Sequence, residues 1–230
     1  MMKALKAVLL FAVILGTIAV AAASHWLGRG VKAAIERYGP GIVGAPVTVG
    51  SVLLTPWSGR GAITNLVIGN PPGFKGPHAL SVGSVEIAVK LSSLMTDTIV
   101  VESVVVREPD IRYEMGPNGS NIALLQRSAE RAGGKSDPAK DGGKGLLIRS
   151  LTVSGGKVGL AASVIGAQSV TVDMPEVKLS NLGGNGRSPA QAAAEALGGI
   201  AGAAGKAAGG IASKAASSLL GKLGGMLNPK

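Results

Sequence analysis

The sequence feature that most constrains the fold is an alternation of apolar and polar residues between residues 47 and 182. The run ALSVGSVEIAVKL is the clearest case, and its apolar side is formed by Val85, Ile87, Val89 and Leu91. A period of two is that of side chains on a β-strand with one buried face. The strands are short and regularly spaced, which predicts an antiparallel meander and a mainly β fold.

Turn signals divide this region into strands. The segments TPWSGRG and NPPGF each end a strand, and SSLMTD predicts one helical turn. Gly155-Gly156 predicts a hairpin. Pro109 suits an edge or a bulge and Pro175 suits an edge position, because proline donates no backbone hydrogen bond. Residues 127–145 are polar and rich in glycine, which predicts a flexible insertion in the sheet domain.

The N-terminal segment predicts a membrane anchor over residues 1–24. Lys3 and Lys6 precede an uncharged apolar run from Ala7 to Ser24, which is just long enough to span a bilayer. Two lysines before the run predict a cytoplasmic N-terminus and an exported body. A cleaved signal peptide is the alternative, since residues 21–23 are all alanine. Residues 25–41 then predict a short amphipathic helix that ends at a Gly-Pro-Gly sequence.

The C-terminal segment, residues 183–230, predicts a helix rich in glycine and alanine. Ser188-Pro189 is a favourable helix start. Interior glycines cost about 1 kcal/mol each, so such a helix needs a close packing partner. Its apolar residues are interrupted by lysines, which favours a helix that lies on a surface or fills a groove. The membrane-interface residues predicted are Trp26, Lys206, Lys214 and Lys222. A disordered tail is the alternative.

Composition and charge exclude several classes of function. The chain of 230 residues carries a formal charge of +10 and contains no cysteine. The charge favours anionic partners, and the lack of cysteine excludes disulfides and cysteine-based catalysis or metal sites. Nucleic acid is disfavoured, because only 3% of the residues are aromatic and the body is expected to be exported. No catalytic constellation, metal site or cofactor motif can be assembled, which predicts a protein that is not an enzyme.

A sheet with alternating residues has one apolar face that must be covered. Each large apolar side chain gains roughly 1.5–3 kcal/mol on full burial, so this face cannot stay in water. Three solutions remain open: a closed barrel or sandwich, a sheet covered by the C-terminal helix, and a curled sheet whose apolar trough accepts lipid chains.

The order of these features resembles the AsmA-like family, relatives of bridge-like lipid transporters with a repeating β-groove. The resemblance lies in the NPPGF sequence, the later PDIRYE, and the GSN of the GPNGSNI segment. It covers about residues 25–125 and is weaker to residue 182. The resemblance implies a curled, taco-shaped sheet over residues 42–182, exposed to the periplasm. It also implies a role in lipid movement or outer-membrane homeostasis.

The resulting prediction is a periplasmic lipid-binding or lipid-transfer protein, held by a single pass in the inner membrane. The candidate groove-lining residues are Leu66, Ile68, Val85, Ile87, Val89 and Leu91. Phe74 is predicted to pack over the rim of the sheet as a plug. The expected partners are phospholipid or another acyl lipid and a membrane, with a homo-oligomer or an envelope protein as further candidates.

The alternative prediction is a structural or adaptor protein without enzymatic activity. In that case the groove is filled by the chain's own C-terminal helix, and free strand edges pair with a partner.

Overall fold

The computed structural model describes residues 26–135, 144–160, 170–184 and 187–227. The predicted anchor lies outside these residues. The strands are β1 (Val47–Thr48), β2 (Ser51–Thr55), β3 (Arg60–Ile68), β4 (Leu80–Val89), β5 (Thr98–Arg107), β6 (Asp110–Tyr113), β7 (Met115–Gly116), β8 (Gly119–Ser120), β9 (Gly145–Ser154), β10 (Lys157–Leu160), β11 (Val170–Asp173) and β12 (Val177–Leu182). The helices are α1 (residues 26–43), α2 (Asn121–Lys135) and α3 (Pro189–Leu227), and a 3-10 turn spans Leu91–Met95.

The strands confirm a mainly β protein with a strongly curled, half-barrel sheet. In the described part of the chain, ten strands form this sheet, and β7 and β8 form a separate pair. The predicted antiparallel meander is wrong in one respect. Strand β5 pairs with β9 in parallel, and β6 pairs with β10 in parallel, so the sheet is mixed.

Several strands are two halves of one longer strand that keeps its register. The parallel alignment of Thr98 with Gly145 continues without a shift to Tyr113 and Leu160, so β5–β6 and β9–β10 are neighbouring continuous strands. The antiparallel partners of β1–β2 and of β11–β12 continue in the same way. The sheet therefore consists of six long strands: β1–β2, β3, β4, β5–β6, β9–β10 and β11–β12.

The alternation of inward and outward side chains is interrupted at the same level in all six strands. The registers align one exposed residue of each strand in a row across the sheet, which we call the bend row: Gly50, Asn65, Gly83, Glu108, Gly155 and Pro175. Three members have a positive φ, namely Asn65 at 50°, Glu108 at 50° and Gly155 at 65°. That conformation is unusual for residues other than glycine, and it changes the direction of the backbone at these positions.

The bend row explains how the trough stays apolar along its length. On one side of it the inward residues are Val52, Ile63, Val85, Val106, Val153 and Val177. On the other side they are Val49, Leu66, Val82, Pro109, Gly156 and Met174. Within each strand these residues are three positions apart rather than two. Each strand thus carries one extra residue, and side chains on both sides of the bend face the same core.

Two predictions are corrected by this topology. Gly155-Gly156 is not a hairpin, because β9 and β10 run in the same direction on either side of the bend. Residues 127–135 are not part of a flexible insertion, because they belong to helix α2. Parallel neighbours need a long crossover connection, and α2 supplies it between β6 and β9. Pro109 lies at the irregularity between β5 and β6, and Pro175 lies in the edge strand β11–β12, as predicted.

The helices cover much of the apolar face. The core cluster includes Ile122, Leu125 and Ala129 of α2, together with Leu197, Ile200 and Ala204 of α3. Helix α3 begins with a reciprocal cap, in which the Ser188 backbone nitrogen donates to Gln191 Oε1 and the Gln191 nitrogen donates to Ser188 Oγ. The predicted C-terminal helix is therefore confirmed, and its first half belongs to the core.

Helix α1 lies along the β1–β2 edge of the sheet. A Cβ placed on Gly28 would stand 2.1 Å from the Val52 carbonyl oxygen, and one placed on Gly39 would stand 3.2 Å from the Val47 side chain. The helix therefore runs from the level of β2 toward the level of β1. None of the helices searched within the described residues is long and apolar enough to cross a membrane.

The bend row predicts that substitution by alanine has different effects on stability at two exposed glycines. Gly155 has a φ of 65°, whereas Gly83 has no positive φ and no atom within 4 Å of a Cβ added at that position. We expect Gly155→Ala to lower the free energy of unfolding by about 1–2 kcal/mol, because L-residues are strained in this conformation. Gly83→Ala is the matched control and should be neutral or slightly stabilising. Urea unfolding measures both, and equal effects would contradict the assigned bend.

Candidate functional site

An apolar pocket remains open between α1 and strands β2, β3 and β4. Its volume is about 380 Å³. It is lined by Leu27, Val31, Val52, Leu54, Thr55, Pro56, Gly59, Arg60, Gly61, Ala62, Ile63, Ile87, Val89, Leu91 and Leu94. Arg60 contributes the only charged side chain of this set and is exposed. The pocket is thus an apolar cavity with one cation at its border.

The pocket owes its space to one glycine on the inner face. The strand registers align one inward row of side chains: Leu54, Gly61, Ile87, Val104, Leu151 and Leu179. Five of these six strands fill the row with a large aliphatic side chain, and β3 places Gly61 there. A Cβ on Gly61 would stand 2.8 Å from Leu54 Cδ2. Any larger residue at this position would therefore fill part of the pocket.

Helix α3 covers the other half of the same row. A Cβ on Gly199 would stand 2.4 Å from Leu179 Cδ1, so the helix rests directly on β12. Its start is fixed by Glu195, whose carboxylate accepts a hydrogen bond from the Gly183 nitrogen at 2.9 Å and pairs with Arg187. Helix α3 thus closes the trough over β9 and β12 and leaves it open beside β2–β4.

The predicted lining residues divide into two groups. Ile87, Val89 and Leu91 line the pocket. Ile68 and Val85 are buried in the closed core, and Leu66 packs against that core. These last three lie at or beyond the level where the trough is filled, so the structure does not bring them to the pocket.

The sequence reasoning missed the pocket residues of α1, β2 and β3. Leu27 and Val31 enter from α1, and Leu54 and Ile63 enter from β2 and β3. Strict alternation from Val47 and Val49 would have selected Leu53 instead of Leu54, because the extra residue at Gly50 moves the inward side by one position. The pocket side of α1 follows from its apolar spacing once the helix is known to lie along this edge.

A buried polar cluster lies at the other end of the trough. Asn121 is fully buried, and its side-chain nitrogen donates to Asn70 Oδ1 at 2.8 Å and to the Arg112 carbonyl at 2.6 Å. Its side-chain oxygen accepts hydrogen bonds from the Glu114 and Ile122 backbone nitrogens. This one amide therefore connects the NPPGF loop, strand β6 and the first turn of α2.

Phe74 belongs to this cluster and not to the pocket. The Glu114 carboxylate accepts hydrogen bonds from the Lys75 and Gly76 backbone nitrogens, which fixes the loop. A Cβ on Gly116 would stand 3.0 Å from the Phe74 ring, so the half-buried ring lies on the β7–β8 hairpin. The structure therefore places Phe74 at the end of the trough that holds the polar cluster and outside the pocket lining, and its role as a plug stays a prediction.

The predicted membrane-interface residues are not brought together. Trp26 begins α1 and is 72% exposed beside the pocket residue Leu27. Lys206 is also exposed, but it lies in α3, which runs from Gly183 past Leu179 and away from that end. The side chains of Lys214 and Lys222 lie outside the described part. A membrane role for the three lysines stays a prediction.

Several ionisable side chains of the described region form ion pairs. Asp110 accepts from His78 Nε2 at 3.1 Å and from Arg112 Nε at 3.0 Å. This arrangement joins the loop before β4 to strand β6. No group of three potential metal ligands occurs within the residues that the structure describes.

The polar cluster predicts a large effect at one of two nearby asparagines. We expect Asn121→Leu to lower the free energy of unfolding by about 3 kcal/mol or more, because several buried groups lose their partners. The control is Asn118→Leu, an exposed position in the preceding turn, which should stay within about 0.5 kcal/mol. Chemical denaturation measures both. Similar small losses would mean that the cluster is not a structural element.

Comparison with known proteins identifies the family of this chain. No curated protein matches the chain. A family model described as the AsmA family matches residues 53–217, more than half of the chain. The match begins in β2 and reaches into α3, so it includes nearly all of the bent sheet and the helix that covers it. It extends further toward the C-terminus than the motifs NPPGF, PDIRYE and GSN, which the structure joins in the polar cluster. The chain therefore belongs to the AsmA family.

Proposed function

We propose that this chain is a membrane-anchored periplasmic protein that binds the acyl chain of a lipid in its apolar pocket. The observation that supports the proposal is the open pocket between α1 and β2–β4, with Gly61 at its centre. Membership of the AsmA family and the curled groove fit a lipid-transport-like role at a coarse level. Binding or transfer would serve lipid homeostasis in the cell envelope or outer membrane.

The chemistry of the pocket suits an acyl chain. A volume of about 380 Å³ lies within the range of ligand pockets. Burial of an acyl chain gains about 0.8 kcal/mol per methylene relative to water. A bilayer offers a similar gain, so transfer between bilayer and pocket would be nearly neutral. That balance allows a carrier both to load and to release its lipid.

The remaining parts of the proposal rest on the sequence. The apolar run before Trp26, with two lysines ahead of it, supports an inner-membrane anchor with the body in the periplasm. The proposed activity needs no catalytic group or cofactor, because binding and release of a lipid break no covalent bond.

Two pocket variants test the proposal from opposite directions. Ile87→Asp places a charge in the pocket, and Gly61→Val fills it without adding charge. We expect each to weaken binding of a fluorescent phospholipid at least about tenfold, because a carboxylate cannot be desolvated cheaply and a filled pocket has no room for the chain. Lipid that co-purifies with the wild-type protein, measured by native mass spectrometry, should fall in parallel.

The matched control is Leu53→Asp in the adjacent strand. Leu53 is 63% exposed and lies on the opposite face of β2 from Leu54, so its substitution should leave lipid binding unchanged. Thermal unfolding of all three variants checks that each protein folds. Wild-type protein that carries no lipid and binds none in titration would overturn the proposal.

A second candidate is a structural or adaptor protein, favoured by the packing of α3. Leu197, Ile200 and Ala204 of this helix belong to the core cluster, so the chain fills part of its own trough. Strand β12 pairs with β9 on one side and could offer its other edge to a partner strand.

Truncation after Gly184 tests whether α3 is core or a removable plug. We expect the truncated chain to lose its cooperative unfolding transition, because the inner face over β9 and β12 becomes exposed. Circular dichroism during heating measures this. A truncated body that stays folded and takes up more lipid than the full chain would show instead that α3 is a plug.

A further inference from the structure

Most of the exposed large apolar side chains lie at one end of the sheet. Nine such side chains occur in the described part of the chain; three of them line the pocket, and three more are adjacent in sequence to lining residues. We call these six the apolar rim: Trp26, Leu27, Trp57, Leu91, Leu94 and Met95. Met95 is 91% exposed and Trp57 is 63% exposed. A concentrated apolar patch on a surface marks an interaction site, whereas scattered apolar residues do not.

Hydrogen bonds and packing contacts hold the segments of the apolar rim together. The Val89 nitrogen donates to the Gly59 carbonyl at 2.7 Å, which joins the β2–β3 turn to the end of β4. A Cβ on Gly59 would stand 3.2 Å from Leu91 Cδ2, so this turn and the 3-10 turn pack together. Lys144 Nζ donates to the Leu94 carbonyl at 2.5 Å and ties in the start of β9.

The charges around the apolar rim are mainly positive. Among the described residues of the segments that form it, Arg29, Arg60, Lys90 and Lys144 are exposed, and Asp97 is the acidic residue. Tryptophan, methionine and leucine with neighbouring lysine and arginine are the composition of proteins that lie in a bilayer interface. The positive charges would face anionic headgroups.

The N-terminal part of the chain also lies at the apolar rim. Helix α1 begins at Trp26 in the apolar rim and runs away from it toward β1. The residues before Trp26 contain the uncharged run that predicts a membrane anchor. An anchor that ends at Ser24 would hold the rim within a few residues of the bilayer surface.

We propose that the apolar rim inserts into the surface of a bilayer that contains anionic phospholipid, so that the pocket opens toward the lipid. This inference deepens the proposed function, on which it rests, by naming the surface through which a lipid enters. Contact of the rim with a bilayer can be measured separately from occupancy of the pocket.

The two tryptophans of the chain allow a direct test. Trp26→Phe leaves Trp57 as the only tryptophan of the full-length protein, which is then placed in nanodiscs of brominated phosphatidylcholine and phosphatidylglycerol. Bromine quenches tryptophan only at close contact. We expect Trp57 emission to fall by roughly half relative to unbrominated nanodiscs, as for a side chain at the interface.

The matched control carries its tryptophan at the other end of the sheet. Met115 is 51% exposed and follows β6, which pairs with the start of β4, whereas the rim follows the end of β4. The ten residues of β4 separate the two ends by up to about 30 Å. A chain with Met115→Trp and both native tryptophans replaced by phenylalanine should show no quenching.

Three further results decide between explanations. Gly61→Val in the Trp57-only chain should stay quenched; loss of quenching there would mean that the signal came from lipid in the pocket and would overturn the rim proposal. Lys90→Gln with Arg60→Gln should reduce quenching toward the value in phosphatidylcholine alone; no change would refute the role of anionic lipid. If Trp57 is not quenched, contact of the rim with a bilayer is refuted. If Trp57 becomes shielded only as the protein concentration rises, bilayer contact is also refuted, and a second copy of the chain covers the rim instead.

Discussion

The whole architecture depends on backbone hydrogen bonding across a bend that six strands share. A buried backbone N–H or C=O without a partner is costly, so an extra residue in one strand must be matched in its neighbours. The aligned bend row meets this requirement from Gly50 at one edge to Pro175 at the other. Pairing therefore continues on both sides, the alternation restarts one residue later, and both halves of the curled sheet present apolar side chains to one trough.

The trough is filled unevenly, and the pocket follows from that. Helix α3 can rest on β12 because Gly199 has no side chain above Leu179, and α1 approaches the opposite edge through Gly28. Between the two helices lies Gly61, in a row that the other strands fill with leucine, isoleucine or valine. Small residues thus act in two opposite ways in this fold: they admit a helix at each edge and leave a cavity between the edges.

The sequence predicted the strands because their alternation is a local property, and it predicted α3 from a local start signal. It failed on the parallel pairing of β5 and β9, which depends on a crossover. The sequence of that crossover, α2, is polar and contains glycine, because only one side of the helix, with Ile122 and Leu125, is buried. Half of the predicted lining residues lie at the pocket. Leu66, Ile68 and Val85 share the apolar pattern of Ile87, and only the packed helices separate pocket from core.

The two ends of the trough have opposite chemistry, and this gives the pocket a direction. At the far end, the buried Asn121 amide and the Glu114 carboxylate fix the loops by hydrogen bonds. Toward the bend, the pocket gives way to a packed row that contains Val85 and Val153. In the proposed function, an acyl chain would therefore enter from the apolar rim with its methyl end first. Its headgroup would stay beside Arg60, at the border of the pocket.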